Sequence, residues 1–190
     1  ANCDLPAGSI VTIQQLTGSQ TASSDALRIE AGRGGFAATG VWNGSMSDPE
    51  SLVLTSTGME VASTYEARFN LTNPATNQSS PGVSIKADVR SVYGDFSPAA
   101  SIAMDANDNT LLGVASGSKP LEVVVPSFEV RTVEQSSPLA GVINTITISI
   151  KANCDLPAGS IVTIQQLTGS QTASSDALRI EAGRGGFAAT

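Results

Sequence analysis

The sequence predicts an all-β chain of antiparallel β-sandwich units strung in tandem with a 151-residue period. Three observations carry that expectation. Apolar and polar side chains alternate along many short stretches, as in strands with one buried face, and no stretch sustains the 3.6-residue apolar period of a helix. Turn signals punctuate those stretches: Gly34-Gly35, Asn43-Gly44, Gly94-Asp95, Asn107-Asp108-Asn109 and Ser116-Gly117-Ser118. Residues 1–39 recur without a change at 152–190. An array of near-identical units explains such identity, although a segment duplicated by design gives the same pattern. A 151-residue unit is far longer than a solenoid repeat of roughly 20–50 residues, and long enough to bury its own core. The sequence also opens in mid-pattern, as expected of a piece of a longer chain.

Taken in order, the strand candidates are residues 9–16, 26–30, Ser51–Thr55, 61–71, 83–89, 100–105, 110–115, 121–125, 128–134 and 145–150. The clearest is 61–71. Val61, Ser63, Tyr65, Ala67, Phe69 and Leu71 fall on one face, and Ala62, Thr64, Glu66, Arg68 and Asn70 on the other. Eleven residues at ~3.3 Å each predict a strand of roughly 36 Å. Val83, Ile85, Ala87 and Val89 alternate with Ser84, Lys86, Asp88 and Arg90, and Ile146, Ile148 and Ile150 with Thr145, Thr147 and Ser149. About ten strands with one-sided alternation in one unit imply two sheets packed face to face, in the manner of an Ig-like sandwich. Pro126 cannot donate to a ladder and follows the apolar run 121–125, which places a unit boundary there. Residues 1–125 are then most of one unit, lacking its first strands, and 126–190 are the first strands of the next. A linker of about two residues is too short to act as a flexible tether, so successive units abut as a stiff rod. A first strand that instead completes the preceding unit fits the same pattern.

Composition excludes several functions. The chain has no histidine, which removes His-based acid/base chemistry and the commonest zinc sites. A net charge of −7 disfavours nucleic acid or an anionic membrane as partner. No run approaches the ~18 apolar residues of a spanning helix. The acidic pairs Asp48 with Glu50 and Asp105 with Asp108 lie in turns without a surrounding cleft, so no enzyme is expected.

The run Pro126-Ser127-Phe128, Gln135-Ser136-Ser137-Pro138-Leu139-Ala140, Asn144-Thr145-Ile146-Thr147, Pro157-Ala158-Gly159-Ser160 and Leu167-Thr168-Gly169-Ser170 has a familiar spacing. It resembles a repeat of giant secreted proteins of diatoms and related algae, similar to diatom trail adhesives of the trailin type. Asn70-Leu71-Thr72-Asn73-Pro74 and Gln78-Ser79-Ser80-Pro81 extend the likeness over most of the unit. The resemblance implies a secreted, extracellular structural protein that serves adhesion, as in a biofilm, and it brings no catalytic residues.

Three sets of residues are candidates for chemistry. Asp105, Asn107 and Asp108 resemble a cadherin calcium linker and supply oxygen ligands, so calcium is a candidate ligand; no other cofactor is expected. The competing reading is a hairpin turn stabilised by Asn and Asp. Cys3 and its copy Cys154 lie one unit apart, beyond the ~7 Å disulfide limit in a straight rod. Each is therefore expected to be either buried as a small apolar residue or bridged to another chain, and never joined to the other. Asn43, Asn70 and Asn77 open glycosylation sequons, and three is about what this Ser- and Thr-rich composition gives by chance. The expected function is a structural and adhesive repeat of a long extracellular rod or fibre. Its partners are neighbouring repeats, other chains of the same protein, and an extracellular surface or polysaccharide. The alternative is a multivalent carbohydrate- or calcium-dependent binding module.

Overall fold

The structure, a computed structural model, describes residues 3–31, 34–44 and 50–181. The chain is all-β, every ladder is antiparallel, and the described residues contain no helix. The strands are β1 Ile10–Gln14, β2 Ser24–Arg28, β3 Glu30–Ala31, β4 Thr39–Asn43, β5 Ser51–Thr55, β6 Ala67–Arg68, β7 Ser84–Arg90, β8 Phe96–Pro98, β9 Ile102–Ala103, β10 Phe128–Gln135 and β11 Ile146–Ala152. One sheet has the order β2-β4-β5-β1-β7-β8, with β9 also on β7; β10 pairs β11, and β3 pairs β6.

Strand β1 sits in the middle of the large sheet, and its register decides the core. Val11 lies opposite Leu54 on one side and Ala87 on the other. Ile13 likewise lies between Leu52 and Ile85, and Trp42 continues that row opposite Leu52. Paired residues of antiparallel strands share a face, so these two rows form one apolar surface. Leu5, Val11, Leu16, Ile29, Trp42, Leu52, Leu54 and Val83 are its buried centre. Each such side chain stabilises the fold by about 1.5–3 kcal/mol relative to exposure. The Trp42 indole N–H donates to Thr21 O at 2.9 Å, so burying it leaves no donor unmet.

Residues 59–71 supply the layer over that surface. Met59, Ala67, Phe69 and Leu71 pack on the buried cluster, while Glu66, Arg68 and Asn70 stay exposed. The expected alternation is therefore present from Ser63 to Leu71, but the expected eleven-residue strand is not. Only Ala67 and Arg68 join a ladder, opposite Ala31 and Glu30. An extended backbone alternates its side chains without any strand partner, and the hydrogen bonds here go elsewhere. Val61 N–H donates to the Asp4 carboxylate at 2.7 Å, and Thr72 N–H to Thr21 Oγ1 at 2.8 Å. Ala62, at φ 63°, ends the regular backbone near the start of the segment.

Two further expectations are corrected. Residues 110–115 form turns with a Leu111–Val114 bridge instead of a strand, because Leu112 and Gly113 both take positive φ, 50° and 72°. Residues 121–125 contribute a single bridge, Val123 to Gln78, with Leu121 at φ 54°. Strands β4 and β8 are additions that the sequence reading lacked.

By its contacts the chain divides into Ala1–Leu156 and Pro157–Thr190. The β10–β11 hairpin belongs to the first unit, so this division falls elsewhere than Pro126. Asn153 is the reason. Its backbone N–H donates to Ser127 O at 3.0 Å, its Nδ2 donates to Val125 O at 3.1 Å, and its Oδ1 accepts from Ser127 N–H at 2.8 Å. Asp155 N–H adds a bond to Leu112 O at 2.8 Å. The hairpin leaves Val133 and Ile146 on one exposed face. In the second unit, residues 157–181 form no strand.

Candidate functional site

Outside the ladders, Gln78 joins segments that lie far apart in the sequence. Its backbone exchanges two hydrogen bonds of 2.9 Å with Val123, and its Nε2 donates to Thr17 O at 3.0 Å and to Leu121 O at 3.1 Å. Neighbours reinforce the contact. Ser80 N–H donates to the Glu122 carboxylate at 2.7 Å, Ser80 Oγ to Pro120 O at 2.7 Å, and Val125 N–H to Asn77 Oδ1 at 2.6 Å. Asn77–Ser79 and Glu122–Val124 line a shallow crease of about 240 Å³. This clasp ties residues 120–125 to residues 77–80 and to the turn after β1. It is a long-range junction, since each link spans at least 40 residues of sequence. Sequence reading meets Gln78 only in the run Gln78-Ser79-Ser80-Pro81 and gives it no structural role, because nothing local marks a glutamine whose partners lie so far along the chain.

Asp105, Asn107 and Asp108 lie in one exposed loop. That loop is fastened to residues 116–119: Ser118 Oγ donates to Asn107 O at 2.9 Å, and Ser118 N–H to Asn109 O at 3.1 Å. The Asp108 carboxylate lies 3.2 Å from Lys119 Nζ. A hydrogen bond from the Ser116 side chain, followed by the hydrogen bond and charge of Lys119, holds its pKa below the usual carboxylate value. Calcium bound here would have to replace Lys119 as the partner of Asp108. Among the described residues no three His, Cys, Asp or Glu side chains gather to hold a metal ion.

The lowered pKa fixes a sign. Asp108 strengthens the loop closure above the ordinary aspartate pKa of about 3.9, and that contribution disappears as pH falls through the lower folded value. In an NMR titration the amides of Asn109 and Ser118 should therefore shift with a midpoint below the ordinary aspartate value. Asp108→Asn should abolish that step. A midpoint at or above the ordinary value would contradict the Ser116 and Lys119 contacts.

Cys3 is exposed and Cys154 half-buried, and both thiols are free. Of the two outcomes expected for Cys3, burial as a small apolar residue is removed: residues 3 and 4 lie ahead of Leu5, the first core residue among those described. Among the glycosylation candidates, Asn43 is half-buried in β4, Asn70 is exposed, and Asn77 is exposed with its Oδ1 committed to the clasp. Ser45, which completes the Asn43 sequon, and Asp48, the partner proposed for Glu50, lie outside the described residues. Glu50 itself is buried and accepts from Ser19 N–H at 3.2 Å.

No family model, curated protein or solved structure matches the chain. Its function therefore rests on its own residues.

Proposed function

We propose that the chain is a structural and adhesive segment of a long secreted rod or fibre, built of β-sandwich units with a 151-residue period. The observation that carries this reading is the unchanged recurrence of residues 1–39 at 152–190. The recurring piece includes the central strand of the large sheet. Repeating it repeats the element on which the core is assembled, which suits a protein whose role is length. Residues 59–71, lying over the sheet, support the sandwich. The clasp at Gln78 suits a module that bears tension, and the exposed Val133 and Ile146 of the β10–β11 hairpin offer apolar area for lateral association between chains.

Electron microscopy of the native material tests the proposal. Rods or fibres with an axial repeat matching one unit are expected, and dispersed single particles would refute it. One observation favours the alternative, a multivalent carbohydrate-binding module: Val92 and Tyr93, at the tip between β7 and β8, are 92% and 90% exposed. If that reading holds, Tyr93→Ala reduces retention on a polysaccharide-coated surface without changing the particle's shape.

A further inference from the structure

The number of sequons carries no weight in a chain so rich in Ser and Thr, but the fold sets one of the three apart. Asn43 is half-buried in β4, opposite Ser51 in the β4–β5 ladder. Asn70 is exposed on the outer side of residues 59–71. Asn77 is exposed as well, and its side chain is part of the Gln78 clasp.

The two halves of the Asn77 amide have different tasks. Val125 N–H donates to Oδ1 at 2.6 Å, and a backbone N–H can only donate, so the atom facing it is the oxygen. Nδ2 is thereby turned away from Val125, and among the described residues it donates to no acceptor. N-glycosylation uses this nitrogen alone. A sugar attached there leaves the bond to Val125, and with it the clasp, in place.

The crease beside Asn77 supplies a seat. Asn77, Gln78 and Ser79 form one wall and Glu122, Val123 and Val124 the other. Its volume of about 240 Å³ is below the roughly 300–1,000 Å³ of pockets for free small molecules. So small and shallow a space holds a free sugar poorly. A sugar tethered to the wall is present at an effective concentration in the millimolar range, and needs little affinity to stay.

We propose that Asn77 carries an N-linked glycan whose first sugar rests in this crease and fastens residues 120–125 to residues 77–80. The apolar face of the ring meets the two valines, and its polar groups meet Gln78 and Glu122. The inference rests on the secreted reading above, because the donor, a lipid-pyrophosphate oligosaccharide, belongs to a secretory compartment. The bond formed joins Nδ2 to the anomeric carbon of an N-acetylglucosamine. The bond broken is that carbon's link to pyrophosphate, which leaves on the lipid, and Nδ2 gives up one proton.

The test sends the full chain through a eukaryotic secretory pathway behind an added, cleavable signal sequence. The site then meets its donor wherever the native chain resides, so its failure is distinct from failure of the secreted reading, which is judged by where the native protein is found. Glycopeptide mapping by mass spectrometry should find Asn77 occupied. Ser79→Ala should leave it bare, and Ser79→Thr should keep it occupied. Ser79 is exposed and takes no part in the Asn77–Val125 bond, so neither change disturbs the clasp directly. Hydrogen exchange reads the seat. The amides of Gln78 and Val123, which bond each other's carbonyls, should exchange about fivefold more slowly in the glycosylated chain than in its Ser79→Ala form. Trimming the glycan to its first N-acetylglucosamine should preserve that protection. A bare Asn77, equal exchange in the two forms, or protection lost on trimming would overturn the proposal.

Discussion

Gly18→Ala should destabilise the first unit by about 3 kcal/mol, while Gly169→Ala should leave its stability within about 0.5 kcal/mol of the unmodified chain. The two glycines occupy the same Leu-Thr-Gly-Ser turn, and both have positive φ, 92° and 85°. The left-handed penalty for an L-residue, roughly 1–2 kcal/mol, is therefore common to the two turns. What differs is the surroundings. A Cβ at Gly18 would stand 1.8 Å from Gln78 Oε1, whereas nothing lies within 4 Å of one at Gly169. Gln78 is flexible enough to swing away, but doing so gives up its bonds to Thr17 O and Leu121 O, worth about 0.5–1.5 kcal/mol each. Trp42 is the chain's single tryptophan and is buried in the core, so its fluorescence in urea reports the first unit alone. A loss for Gly18→Ala no larger than the roughly 1–2 kcal/mol left-handed penalty would show that the Gln78 clasp contributes nothing.

Stretching the chain by its ends should give a distinct force peak as the first unit opens, followed by about 50 nm of released chain, less its folded length, at ~3.3–3.6 Å per residue. The length follows from the unit Ala1–Leu156. Cooperativity follows from β1, which is held on both sides by five-residue ladders, so the first rupture must break several hydrogen bonds together. Gln78→Ala should lower the peak force without changing the released length. A smooth extension curve, or a release far shorter than 50 nm, would mean that the unit does not unfold as one body.

The sequence made strand positions legible wherever a strand carries its own pattern. Ser51–Thr55 was read to the residue, and β10 and β11 to within two residues at each end. It was silent on β4, where Gly40 interrupts the pattern. That glycine is required: a Cβ there would approach Val53 O to 2.9 Å. Residues 61–71 show the limit of periodicity, which reports which side chains are buried and not whether the backbone is paired. The duplicated segment shows it more sharply, since Ile10–Gln14 and residues 161–165 have equal propensity and only the first is a strand. The acidic loop was legible as Asp and Asn in a turn. Lys119, which takes the Asp108 carboxylate, lies outside the motif and went unread.

The central position of β1 also imposes an order on biosynthesis. Its partners on β7 lie about 70–80 residues further along the chain. At a translation rate of roughly 5–20 residues per second, β1 waits several seconds before its second neighbour exists. Contacts that close such long loops form slowly, so the half-built sheet persists as an intermediate on the ribosome. The second copy of the β1 sequence emerges only after β7 is complete, some 70 residues later. The nascent chain therefore has time to seat β1 between β5 and β7 before an identical segment is made.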